Sequence, residues 1–248
     1  MTALRFQFQD VLNEVSSFNE LARKYIAPAS LEVLPRFYQA LENYRNMPTK
    51  EAIDWKIADS CPLCTIPAKE YEPGGGGHRA IVGEITCIWR IKREPLKKTT
   101  QPAKHFSLIG NASTRVRLKY PATDSEPAQE VAMWRMEVAD GKAPGCYFHV
   151  QILGQSDELP FPKSIPVPRL PSIILTPLAV AEFVLAELFQ DAWGKHTAAL
   201  VPHLQRWAPI QRERLKRLLY WKLKELEQTS GSPWSALKAA KPDPALFI

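Results

Sequence analysis

Between residues 143 and 193 the chain changes its pattern twice, and few folds accommodate both changes. Cys146, Phe148, Val150 and Ile152 alternate with Tyr147, His149 and Gln151. A period of two puts the first set on one face of a strand and the second on the other. From Leu159 to Pro171 prolines recur at Pro160, Pro162, Pro166, Pro168 and Pro171. They fix φ and remove backbone donors, so this stretch reads as an extended strap, neither helix nor central strand. Thr176 and Pro177 then offer a capping side chain and a proline at the first helical position. From Leu178 to Trp193 apolar residues occupy nearly every side, interrupted by Glu182, Glu187, Gln190 and Asp191. A helix apolar nearly all round is a buried one, and Gly194 is its expected terminator. It is too short and too acidic for a membrane span. The pattern demands a sheet with one packed face and one polar face.

Upstream, the period of two persists. Candidate strands are 80–92, 104–109, 113–120, 129–138 and 145–153, joined by turn signals of which Gly110-Asn111 and Asp140-Gly141 are the sharpest. No helical pattern intervenes, so an antiparallel meander of about five strands is expected. The ends of the chain are helical. Leu4, Phe8, Val11, Val15, Phe18, Ala22 and Tyr25 form a helical stripe over 3–26, with Ser17 and Glu20 as a capping box that would split it. Packing onto the sheet explains that stripe, and a dimerising seam is the alternative. Pro35 starts a second helix, and Thr49 caps a short helical piece ending near Ala58. After the buried helix come helix 197–206 and a final helix from Pro209 to about Glu227. Its apolar stripe is Leu215, Leu218, Leu219, Leu223 and Leu226, and basic residues cover most of the rest.

The whole reads as one α+β domain over 1–248: a helical segment 1–58, a meander 79–154, a strap 155–176 and helices 177–230. With 248 residues and 45% hydrophobic content the chain can bury a large core. No secretory pattern opens the sequence, so a cytoplasmic protein with reduced thiols is expected. The net charge of +6 favours anionic partners without requiring them.

Chemistry concentrates on the polar sheet face. Opposite the apolar set Phe106, Leu108, Val116, Leu118, Trp134, Val138, Phe148 and Val150, parity gathers His105, Ser107, Arg115, Arg117, Lys119, Arg135, Glu137, Tyr147, His149 and Gln151. Arginines at alternate positions beside hydroxyls and imidazoles suit phosphate oxygens. Ser107, Arg115, Arg117, Lys119, Arg135, Tyr147 and Gln151 are therefore the candidate contacts for a nucleic acid or nucleotide. An ordinary solvated sheet face is the plain alternative.

The run His105-Phe106-Ser107-Leu108 resembles the His-hydrophobic-Ser/Thr-hydrophobic motif of two-histidine phosphoesterases. That resemblance implies His105 and His149 as paired acid and base on a phosphodiester. The family carries the motif twice, and the second run here has Gln151 where its hydroxyl residue belongs. A third reading is a subunit without ligand chemistry, docking proteins through the N-terminal stripe or the strap.

Cys61 and Cys64, two residues apart across Pro62 and Leu63, form half of a tetrahedral zinc site. The chain has no second such pair, with His78 and Cys87 the nearest candidates. Two inert thiols in a plain turn, with no cofactor, are the expectation, and structural zinc is the alternative. Phosphate-loop, GxSxG, HExxH and GxGxxG signatures are missing from the sequence.

Overall fold

Alternation and stripe translate into an antiparallel sheet with helices on one side. The structure, a computed structural model, describes residues 3–49, 51–71, 79–94, 102–110, 112–139, 145–153, 169–173, 176–199 and 201–248. β1 (Arg5–Gln7) runs directly into α1 (Phe8–Ala22), and α2 (Val33–Asn46) follows two single 3-10 turns. β2 (Ile53–Ile57) and β3 (Leu63–Cys64) precede the longest strand, β4 (Val82–Arg93). β5 (His105–Leu108), β6 (Ala112–Tyr120), β7 (Gln129–Val138), β8 (Phe148–Leu153) and β9 (Arg169–Pro171) come next. α3 (Pro177–Ala198), α4 (Pro202–Glu227) and α5 (Pro233–Ala239) close the chain.

All nine strands join one sheet in the order β1-β5-β4-β6-β7-β8-β9, with β2 and β3 also on β4. Every pairing is antiparallel, as the alternation requires. β5 and β6 lie in succession along the same side of β4. Leu108 opposes Ile91 and Ser113 opposes Ile88. The intervening residues on the β5–β6 side outnumber those on β4, and Gly110 takes them up at φ 71°. The sheet thus exceeds the expected five strands, because β1, β2, β3 and β9 come from segments without long alternation.

The apolar face collects Ile85, Cys87, Trp89, Ile91, Phe106, Leu108, Val116, Met136 and Phe148 under the helices. The buried α3 helix forms as expected: the Thr176 hydroxyl accepts from the Ala179 amide at 3.2 Å. It lies over β4 so closely that a Cβ on Gly83 would sit 2.8 Å from Val184. That position needs glycine for space. α1 packs against α2, α3 and α4, with Phe18 and Trp207 rings 5.0 Å apart. Its stripe packs within the helical layer and, through Phe8 against Phe106 at 4.8 Å, onto the sheet.

Four local expectations are corrected. Thr49 does not start a helix over 49–58. Its hydroxyl closes a local turn on the Glu51 amide, and Ile53–Ile57 pairs with β4 because Trp55 stacks on Phe37 at 3.8 Å and donates to its carbonyl at 2.8 Å. Gly194 does not end α3, which kinks at Gln190, where φ is 21°, and then continues to Ala198. Ser17 does not split α1; it is buried within the helix. Pro209 does not open a new helix but lies inside α4. The strap falls on residues mostly outside those described, and its last residues form β9. Among the described residues no helix is long and apolar enough to cross a membrane.

One buried ionic node ties the helices together. Glu14 of α1 accepts from the Thr176 hydroxyl at 2.6 Å and from Gln211 at 2.8 Å, and it pairs with Arg214. A carboxylate 1% exposed survives there only because three donors satisfy it.

Candidate functional site

The register confirms which side chains share the second sheet face. Thr86, Arg115, Arg135 and Gln151 stand in one row, and Ile88, Ser113, Glu137 and His149 in the next. The helix contacts onto the sheet come through α1, α2, α3 and α4 on the other side, the last by Trp221 against Phe148 and Arg214 over Phe6.

At the β6–β8 half, that face carries a charge network. Arg135 donates to Gln151 at 2.6 Å and lies 2.9 Å from Glu137. The second Glu137 oxygen meets His149 Nε2 at 3.0 Å, and His149 Nδ1 meets the Cys146 carbonyl at 2.8 Å. Both ring nitrogens face acceptors, which fixes the imidazole in place. Further along, Arg117 lies 3.6 Å from Glu130, Lys119 2.6 Å from Glu84, and Arg115 3.4 Å from Asp59. Each of the four cations read from this face has a carboxylate.

Two of the candidate contacts, Tyr147 and Gln151, and the candidate acid–base residue His149 do not stand on a solvated face: they are 8%, 2% and 1% exposed. Tyr147 packs edge-on against Phe148, 5.1 Å between centroids. Alternation along one strand reports which side a residue takes and not what covers that side.

The two histidines are not brought together. His105 pairs across β1 with Gln7 and its carbonyl accepts from the Glu94 amide, while its ring lies 3.8 Å from Glu94. His149 shares the row of Ile88. Six residues of β4 separate the two rows, roughly 20 Å at the usual rise per residue. Ser107 sits 3.4 Å from Glu94, which also pairs with Arg5.

Cys61 is exposed and Cys64 half-buried, both as free thiols. Burial raises the Cys64 thiol and pushes Cys87 up to about 12. Cys87 lies on the core face beneath β2 and is no third ligand for that pair. Among the described residues no three His, Cys, Asp or Glu side chains gather as a metal site; His78 lies outside them.

The other half of the face, on β2 and β4, carries further cations. Lys56, Arg90 and Lys92 are exposed, and among the described residues none has an ion-pair partner. Lys56 opposes Ile88, with Arg90 two residues along, so the pair are diagonal neighbours about 7–8 Å apart. Asp54, opposite Arg90, is the nearest carboxylate by register. A hollow of about 740 Å³ lies beside them, lined by Arg90, Lys92, Glu51, Ala52, Ile109 and Gly110. A smaller one of about 210 Å³ opens between Lys56, Asp59, Thr86, Ile88, Ser113 and Arg115. The signal was present: Glu84, Thr86, Ile88, Arg90 and Lys92 alternate with Ile85, Cys87, Trp89 and Ile91. Lys56 was hidden by the mistaken helix. Comparison with known proteins finds no family model, curated protein or solved structure that matches the chain.

Proposed function

We propose that the chain is a binding module for a phosphate-bearing polyanion, nucleic acid foremost, and that the contact lies on the β2–β4 half of the open sheet face. One observation carries this reading: Lys56, Arg90 and Lys92 are exposed and unpaired among the described residues, whereas Arg115, Arg117, Lys119 and Arg135 each meet a carboxylate. A paired cation has already exchanged its hydration for a partner. A free one gains on meeting phosphate and releases counterions. Tyr147, the one aromatic among the candidate contacts, is buried, which favours backbone-directed, sequence-tolerant binding over base stacking. The separation of His105 from His149 gives the phosphodiesterase alternative no support. A cytoplasmic setting belongs to the same proposal, supported by the unbridged Cys61 and Cys64.

The test is the salt dependence of binding to a mixed-sequence single-stranded DNA and a duplex. Arg90→Ala with Lys92→Ala should weaken binding to either form and lower the slope of log K against log salt by about one and a half to two. An unchanged slope in that double variant would falsify the assignment.

A further inference from the structure

The last long helix turns its leucines outward. Leu215, Leu219 and Leu223 recur every four residues along one side of α4, and they are 38%, 48% and 51% exposed. Of the helix's leucines Leu218 is fully buried and Leu204 packs partly against the core. Tyr220 borders the row at 71% exposure. Beside it, α3 and α4 enclose a cleft of about 310 Å³ whose apolar lining includes Ala179, Phe183, Ala186, Ile173 and Leu215, with Glu182, Gln211 and Arg214 among its polar lining; burial holds the Glu182 carboxyl above its usual range. Ile173 is itself half exposed, and Lys222 holds that neighbouring segment by donating to the Ser172 carbonyl at 3.0 Å. Leu215 belongs to both row and cleft, and exposed apolar side chains grouped in this way mark interaction sites.

We propose that this groove docks an amphipathic helix of a partner protein whose flanking residues are acidic. Charge chooses the occupant. Arg212 and Lys216 interleave the leucine row and Lys224 flanks it beyond Tyr220. All three are exposed, with no ion pair among the described residues. The nearby Glu213 is taken up by Arg217 at 2.9 Å. An apolar row with a basic rim suits a helix carrying Leu or Phe at every third or fourth position between glutamates and aspartates. A second copy fits worse. Two α4 helices crossing antiparallel at Leu219 would set Lys216 of each beside Lys222 of the other, like charge against like. A lipid surface fits worse as well, because the cleft is concave and takes an inserted side chain rather than a flat headgroup layer.

The probe is a labelled helical peptide of three heptads with leucine at a and d and glutamate elsewhere, against its lysine counterpart. The glutamate peptide should bind the full chain and the lysine peptide should not. Leu219→Ser with Leu223→Ser, both solvent-facing and so compatible with folding, should weaken binding at least tenfold with unchanged circular dichroism. Arg212→Glu with Lys216→Glu should reverse the preference toward the lysine peptide. Equal binding of both peptides, or full binding by the serine variant, overturns the proposal. Sedimentation of the free chain as a dimer that Leu219→Ser dissociates would give the groove to a second copy. Flotation with phosphatidylserine vesicles lost in the same variant, without peptide binding, would give it to a membrane. Either result also overturns it.

Discussion

The two halves of the open sheet face carry the same kinds of cation in opposite states. On β6–β8, Arg115, Arg117, Lys119 and Arg135 are half-buried and each lies against Asp59, Glu130, Glu84 or Glu137. On β2–β4, Lys56, Arg90 and Lys92 stand exposed without such partners among the described residues. The difference arises from neighbours and not from residue type. A sheet row brings side chains from distant segments to within about 5 Å, so Glu84 reaches Lys119 across a strand pair and Asp59 reaches Arg115 from the β2–β3 connection. Counting cations along a strand overstates a basic surface, because the neutralising carboxylates arrive from elsewhere in the chain.

The largest effect should follow from stripping the paired half of its central carboxylate. Glu137 holds both Arg135 and the 1% exposed His149. Glu137→Ala takes the acceptor from the buried His149 ring nitrogen and the carboxylate from the half-buried Arg135, at a cost of about 1–3 kcal/mol. Urea unfolding should show it as a lowered midpoint with little change in slope. The matching change on the free half, Arg90→Ala, should move stability by no more than about 0.5 kcal/mol. Equal effects at the two positions would erase the distinction between structural and available charge.

A smaller effect separates the halves in binding. Arg115→Ala with Arg117→Ala removes two cations that are already paired, so polyanion affinity should fall no more than about threefold. Arg90→Ala with Lys92→Ala should cost tenfold or more, since each lost phosphate contact also removes released counterions. Titrations at fixed salt decide the matter. A larger loss on β6 than on β4 would return the site to the arginines that parity alone selects.

Those outcomes also measure how far the sequence could be read. The strands from Val82 to Leu153 were legible because alternation is local, and the assignment of Phe106, Val116 and Phe148 to one face and Arg115 and Arg135 to the other follows from the same period. β2 was not. The helix-start signal of Thr49 outweighed the alternation of Ile53, Trp55 and Ile57, and only the stacking of Trp55 on Phe37 arbitrates between them. The cover over His149 and Gln151 and the partners of the arginines depend on contacts between distant segments, which one strand's pattern does not encode. The leucines of α4 failed for a related reason. Periodicity finds the stripe, yet a stripe facing a partner and one facing the core have the same period.

The finest test converts a paired cation into a free one. Glu84 and Lys119 are diagonal neighbours across β4 and β6, paired at 2.6 Å, with side chains 19% and 26% exposed. Glu84→Gln keeps the shape of the side chain and its place on β4, and it releases the ammonium without removing it. A pair this exposed contributes no more than about 1 kcal/mol, so the fold should tolerate the change. If pairing is what keeps β6 silent, the freed Lys119 joins the contact: binding to single-stranded DNA should tighten two- to threefold. The salt dependence should steepen by somewhat less than one unit, the share of one phosphate contact. Adding Lys119→Ala on top of Glu84→Gln should cancel both gains. Tightening that survives the second substitution would reflect only the loss of a negative charge, and pairing would then not be what divides the face.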